Sequence, residues 1–102
     1  MEVNSREMMN ERKDLLNKTQ KVIKLANEKA KNTNHGYINT LLKKLNKLYD
    51  NLQDDSISLE FIKENNGFLD GAVRAYFDTN LPESYEETFL IELGDLEMEF
   101  KK

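Results

Sequence analysis

Few side chains in this sequence could take part in catalysis or bind a metal ion. The 102 residues include no cysteine and one histidine, His35, which lies beside Gly36 in a turn-forming stretch. Carboxylates that could attract a cation are grouped near the C-terminus, at Glu86, Glu87, Glu92 and Asp95. Helical di-metal sites also need a histidine three residues after a glutamate on two helices, and this spacing is missing. Glycine-rich phosphate loops and calcium-binding loops are missing as well. The sequence therefore predicts a protein that is not an enzyme and needs no metal and no cofactor.

The apolar residues that must position any functional side chain recur at helical spacing. Four segments show apolar positions three and four residues apart, at about 5–31, 37–53, 58–78 and 83–99. Short links join them, and no composition change marks a domain boundary. We therefore expect one domain over residues 1–102, folded as an all-α, antiparallel four-helix bundle.

Two capping boxes are predicted at the starts of the first and last helices. In each, a polar N-cap residue is followed three positions later by glutamate: Asn4 by Glu7, and Ser84 by Glu87. The second lies just after Pro82, a residue that only the very start of a helix tolerates. The predicted helix boundaries therefore rest on local signals as well as on apolar spacing.

The third segment contains two weak points. Asn66-Gly67 is a strong turn signal, and Gly71 adds a second flexible position. Either one helix continues through them, at a cost of about 1 kcal/mol for each glycine, or a short helix ends and restarts near Gly67. We favour one bent helix over 58–78.

Charge is distributed unevenly along the chain. Residues 1–50 carry 11 Lys or Arg and 6 Asp or Glu, whereas residues 51–102 carry 4 and 13. The stretch 81–100 alone holds seven acids and no base. Either basic helices pack beside acidic ones and the charges pair internally, or the acids form a surface for a basic partner. Internal pairing is favoured for the chain as a whole, because exposed charge usually only solvates a surface.

The last predicted helix nevertheless motivates a partner-binding hypothesis. Its acids form like-charge pairs four residues apart, which destabilise a helix, and several lie at the end that the helix dipole disfavours. Aromatic residues also flank the loop before this helix, where an interaction surface is favoured. The residues we select as partner-binding are Tyr76, Asp78, Asn80, Glu83, Glu87, Asp95 and Glu99.

Binding to nucleic acid is not expected. Lysines of the first two helices could form a basic face, but the chain has a net charge of −4 and aromatic residues do not interleave with these lysines. No apolar run approaches the ~20 residues of a membrane span, and no signal-peptide core is present. With no cysteine, the sequence fits a soluble, cytoplasmic protein.

Helix order and apolar spacing resemble one known family. The segments "LLKKLNKLYDNL", "SLEFIKENNGFLDGAVRAYF" and "ESYEETFLIELGDLEME" are similar in order and character to helices of bacteriocin immunity proteins of the enterocin A immunity type. The resemblance covers about residues 10–99 and includes no diagnostic motif. Two departures are the "NNG" in the third segment and a C-terminus that ends soon after the last helix.

The resemblance implies a cytosolic, antiparallel four-helix bundle without enzymatic activity. Such a protein protects its producer against a pore-forming peptide, by engaging a membrane sugar-transporter receptor with the bacteriocin bound. Partner specificity in the family resides in the C-terminal half, which is the acidic half here.

Two other functions remain open from the sequence. One is an acidic phage or mobile-element regulator, whose carboxylate rows imitate a nucleic-acid backbone or bind a basic pocket of a host protein. The other is a structural protein whose helices dimerise. The sequence is compatible with a monomer or a dimer. The genes next to the one that encodes this chain would distinguish bacteriocin immunity from the regulator fastest.

Overall fold

The chain folds into helices with short connections. A computed structural model describes the backbone of residues 2–33, 35–84 and 86–101, and side chains from residue 11 onward within those ranges. These residues contain no strand. They form five α-helices and one short 3₁₀ helix: α1 Glu2–Asn32, α2 Gly36–Gln53, α3 Leu59–Asn65, the 3₁₀ helix Gly67–Leu69, α4 Ala72–Asp78 and α5 Thr88–Lys101. The all-α prediction is confirmed, whereas a four-helix bundle is not, because the described residues form five α-helices.

Helix α1 sets the length of the molecule. Its 31 residues rise about 46 Å at 1.5 Å each, close to the longest dimension of 47 Å. The helix begins at Glu2. Asn4 therefore lies inside the helix rather than at its N-cap, and the first predicted capping box is wrong.

Arg12 joins α1 to the end of α2. Its guanidinium donates to the carbonyl oxygens of Leu52 at 2.9 Å and of Ile57 at 2.7 Å, and also to those of Asn51 and Asp54. The last carbonyls of a helix have no partner within the helix and carry its negative dipole end, so a cation there is favourable. This contact places the beginning of α1 beside the end of α2, which makes the two helices antiparallel.

The core follows the apolar positions that the sequence predicts for the second helix. Its buried side chains are Ile38, Leu41, Leu45, Leu48 and Leu52. They belong to one continuous cluster that also takes buried residues from α1, α3, α4 and α5. His35 precedes this helix as its N-cap, because its Nδ1 accepts a hydrogen bond from the Tyr37 N–H at 3.1 Å.

The predicted third helix is broken twice. Asn66 leaves helical geometry, and its buried side chain donates to the Ile62 carbonyl at 2.7 Å, which closes the end of α3. Gly71 then adopts a left-handed conformation with φ 79°, which a residue with a side chain adopts only with strain. The expectation of one bent helix over 58–78 is therefore wrong, because both turns are held by specific local geometry.

Helix α5 begins at Thr88, five residues later than predicted. The N-cap position is taken by Glu87, whose carbonyl accepts from the Ile91 N–H at 3.1 Å. The Ser84 hydroxyl accepts from Glu86 rather than from Glu87. The second predicted capping box is therefore also wrong, and the described residues between α4 and α5, 79–84 and 86–87, form a loop. Tyr85, which lies four residues before Phe89 and shares its apolar spacing in the sequence, lies outside the described residues.

Candidate functional site

The loop between α4 and α5 carries three of the seven residues that the sequence selects: Asn80, Glu83 and Glu87. Its first turn is fixed by Thr79, whose hydroxyl donates to the Tyr76 carbonyl and accepts from the Leu81 N–H at 3.1 Å. Asn80 follows with φ 61°, a left-handed conformation that asparagine tolerates better than most residues. The loop therefore leaves α4 in a defined direction.

Glu87 anchors the other end of this loop. Its Oε1 lies 2.8 Å from the Lys29 ammonium and accepts from the Tyr76 hydroxyl, also at 2.8 Å. The second oxygen accepts from the same hydroxyl at 3.0 Å and from the Glu83 N–H at 3.4 Å. The side chains of Lys29 and Glu87 are only 14% and 12% exposed. One carboxylate thus connects α1, α4 and the loop.

Tyr76, which contacts this carboxylate, and Tyr37, which stacks on Tyr76, stay protonated well above neutral pH. Burial and the hydrogen bond to Glu87 raise the pKa of Tyr76. The Tyr37 ring stacks on that of Tyr76 at 6.3 Å, and its hydroxyl donates to the Ala72 carbonyl at 2.9 Å. Burial, with a smaller effect of the Glu97 charge, raises the pKa of Tyr37 to about 12. Both hydroxyls therefore act as hydrogen-bond donors, to the Ala72 carbonyl and to the Glu87 carboxylate.

The outer surface of the loop is acidic and accessible. Asp78, Asn80, Glu83 and Glu86 are exposed. A shallow cleft of about 260 Å³ lies among them, lined by Phe77, Asn80, Pro82, Glu83 and Ser84. A second, open cleft of about 420 Å³ lies on the α1 side of the loop. The anchored loop thus presents carboxylates beside apolar side chains, a combination suited to binding another protein.

Acids along the α1–α5 interface are paired with lysines. Lys21 lies 3.0 Å from Glu92, and Lys18 lies 3.2 Å from Glu99. With Lys29 and Glu87, these pairs run in opposite sequence order, so α1 and α5 are antiparallel. The three acids therefore face α1 instead of forming part of an open acidic face, as internal pairing predicts.

Glu97 is used within the molecule too. One of its oxygens accepts from the Val73 N–H at 3.1 Å, at the beginning of α4. The other lies 3.2 Å from Lys101, whose pKa is raised chiefly by its hydrogen bond to Glu97. Of the α5 acids, Asp95 is the one with an exposed side chain.

The structure separates the seven selected residues into two groups. Exposed positions are Asp78, Asn80 and Glu83 at the loop, and Asp95 on α5. Tyr76 is fully buried, while Glu87 and Glu99 contact lysines of α1. A partner that meets this conformation can therefore reach the first group but not the Tyr76 ring.

Sequence reasoning did not identify Lys29 as the partner of Glu87. The signal that would have found it is the antiparallel pairing of α1 with α5. Once Lys18 is placed opposite Glu99, the helical rise brings Lys29 to the beginning of α5.

No catalytic or metal-binding arrangement stands out in the part of the chain that the structure describes. Within it, no three histidine or acidic side chains are grouped so as to hold a metal ion. None of the described helices combines the length and apolarity needed to cross a membrane. No protein-family model matches the sequence, and comparison with curated proteins and with solved structures found no significant similarity.

Proposed function

We propose that this chain is a non-enzymatic, cytoplasmic protein-binding bundle that confers immunity to a pore-forming bacteriocin by engaging its membrane receptor complex. The observation that carries the proposal is the anchored loop of residues 79–87. Glu87 and Thr79 hold its two ends, so its exposed carboxylates are presented without a large ordering cost on binding. The loop lies in the C-terminal half, where the resembling family carries its specificity.

We also propose that the helices are arranged as a bundle of four arms. The pieces α3, the 3₁₀ helix and α4 together take the place of one arm between α2 and α5. Their packing supports this, because α3 contacts α2 and α4 contacts α5. The molecule would then be a four-arm antiparallel bundle whose third arm is kinked twice.

Immunity is tested by expressing the chain in bacteria that carry the sugar-transporter receptor and are sensitive to pore-forming bacteriocins. The protein should protect against at least one peptide of a panel, and only in cells that have the transporter. Three exposed acids lie in the loop or at the end of α4 that precedes it. Replacing them, by Asp78→Asn, Glu83→Gln and Glu86→Gln, should abolish protection while the helical circular dichroism is retained.

The matched control removes three exposed acids elsewhere: Asp14→Asn, Asp50→Asn and Asp55→Asn. It lowers the negative charge equally and should leave protection intact. Protection that survives the loop substitutions, or that is equal in cells without the transporter, would contradict the proposal.

The alternative of a nucleic-acid mimic has less support. A mimic needs rows of open carboxylates, whereas Glu87, Glu92 and Glu99 are paired with lysines of α1. The same substitutions also test whether the loop binds a basic host protein instead of the receptor complex. In that case, a pull-down of the host protein should succeed with the unchanged chain and fail with the substituted one.

A further inference from the structure

Another groove, distinct from the two clefts at the loop, lies between α2 and the segment of α3 and the 3₁₀ helix. Its volume is about 480 Å³, within the range of roughly 300–1,000 Å³ typical of small-ligand pockets. It is lined by Lys44, Lys47, Asn51, Phe61, Asn65, Asn66 and Phe68. None of these residues belongs to the acidic loop, so the groove is a separate surface of opposite charge.

Folding brings lysines and aromatic rings together in this groove. The sequence separates them, because the lysines lie on α2 and the two phenylalanines follow 14 to 24 residues later. In the structure, the Lys44 ammonium lies 5.9 Å from the centroid of the Phe68 ring, within cation–π distance. Phe61 is 52% exposed, which is unusual for so large an apolar side chain. The mixture of basic and aromatic side chains that the linear pattern lacks is therefore present on the folded surface.

The lysines of this groove differ from three of the lysines of α1. Lys18 and Lys21 pair with acids of α5, and Lys29 pairs with Glu87 of the loop. By contrast, no carboxylate among the described residues lies within ion-pair distance of Lys44 or Lys47. The groove thus offers two cations whose charge is not neutralised by the part of the molecule that the structure describes.

We propose that this groove binds a short acidic segment of another protein, with an apolar side chain between its carboxylates. The carboxylates would meet Lys44 and Lys47, and the apolar side chain would cover the exposed face of Phe61. Charge complementarity supports this occupant, since the groove is cationic on a chain of net charge −4. The inference is independent of the immunity proposal and stands if the loop has no function.

A single-stranded nucleic acid fits the same groove less well. Such binding relies on neutralising many phosphates, and roughly 6–10 contacts are usual for a strong protein–DNA complex. Only two lysines line this groove. The C-terminal half of the chain is strongly acidic and repels a long polyanion, whereas a short acidic peptide is repelled less.

The probe for this groove is a fluorescein-labelled peptide with tryptophan flanked on each side by two glutamates. Anisotropy titration measures its affinity, and the amide shifts of ¹⁵N-labelled protein locate its site. The shifts should be largest at residues 44–51 and 61–68. Lys44→Glu with Lys47→Glu should weaken binding by about tenfold or more. Phe61→Gln, a surface change with little risk to folding, should weaken it as well.

The control variant, Lys24→Glu with Lys31→Glu, makes the same charge change on exposed positions of α1. It should bind the peptide as the unchanged protein does, and a peptide with glutamine in place of glutamate should not bind. The proposal is overturned if the shifts fall elsewhere, if no binding is seen at about 1 mM peptide, or if both lysine variants weaken binding equally. Tighter binding of a short oligothymidylate than of the peptide would assign the groove to nucleic acid and overturn the proposal too.

Discussion

Replacing Glu87 by glutamine isolates the contribution of the carboxylate that holds the loop. The substitution keeps size and shape but removes the negative charge that Lys29 and the Tyr76 hydroxyl share. A hydrogen bond to a charged group contributes about 1.5–3 kcal/mol, against about 1 kcal/mol for a neutral one. Breaking a fully buried ion pair costs roughly 3–5 kcal/mol, and this pair is slightly exposed. We therefore expect Glu87→Gln to lower the free energy of unfolding by about 2–3 kcal/mol.

A matched control exists in the same helix interface. Glu92 pairs with Lys21, whose side chain is 60% exposed, so the exposed pair should contribute about 0–1 kcal/mol. Glu92→Gln removes the same charge from the same face of the molecule. The difference between the two variants therefore measures the burial of the Glu87 site rather than the change in net charge.

Urea unfolding followed by far-UV circular dichroism gives the required free energies. A double-mutant cycle with Lys29→Met should show a coupling of about 1–2 kcal/mol, because these two groups are in direct contact. The m-value should not change. Equal losses for Glu87→Gln and Glu92→Gln, or a coupling near zero, would refute the idea that this carboxylate anchors the loop.

Three further predictions follow from contacts elsewhere in the fold. Arg12→Met should lower the unfolding free energy by about 2–4 kcal/mol in the same urea assay, since four charged hydrogen bonds are lost. The control, Arg74→Met on the surface of α4, should change it by less than about 0.5 kcal/mol. Equal losses of unfolding free energy for the two variants would contradict the capping role of Arg12. Gly71→Ala should lower the unfolding free energy by about 1–2 kcal/mol because position 71 has a left-handed backbone. Gly67→Ala, with open space around it, should be neutral or mildly stabilising. Thermal unfolding should therefore show a lower midpoint for the first variant only. The raised pKa of Tyr37 means that the folded state keeps its proton while the unfolded state loses it, so stability is full below about pH 10 and falls as the pH rises towards about 12. Urea unfolding across that pH range should show a shallower fall of the unfolding free energy with pH for Tyr37→Phe than for the unchanged protein. An unchanged slope would show that the Tyr37 hydroxyl does not contribute to the pH dependence of stability.

Apolar spacing predicted the part of the fold that depends on burial. In α2, Leu41, Leu45 and Leu48 are buried where their three- and four-residue spacing places them. Such spacing determines which helix face loses contact with water, whatever the neighbouring helices are. The all-helical class and the segment 37–53 follow from this pattern alone.

Helix ends were harder to predict because side chains there choose between local and distant partners. Glu87 was expected to close a capping box within its own helix. It contacts Tyr76 and Lys29 instead, and the helix starts later. Asn66 gave a visible turn signal, but the small cost of a glycine in a helix led us to favour a continuous, bent helix.

The acidic pattern of the last helix was explained only in part by sequence. Whether the acids of α5 pair internally or form an open face depends on which helix lies beside α5. No local signal in the sequence specifies that neighbour. The antiparallel packing on α1 places Glu92 and Glu99 opposite lysines and leaves Asp95 exposed. A loop site built from three separate segments cannot be recognised before that packing is known.

The pairing of α1 with α5 also has a consequence for the order in which the chain folds during synthesis. Arg12 meets partners about forty residues away, so α1 and α2 can associate as soon as residue 57 has left the ribosome. Lys29 can form its ion pair only after Glu87, which is 58 residues farther along the chain, has been synthesised. The helical hairpin is thus an early and local unit, whereas the α5 side of α1 stays uncovered until α5 has left the ribosome. A ribosome-stalled chain that ends before α5 should therefore be recognised by chaperones through the apolar face that α5 later covers.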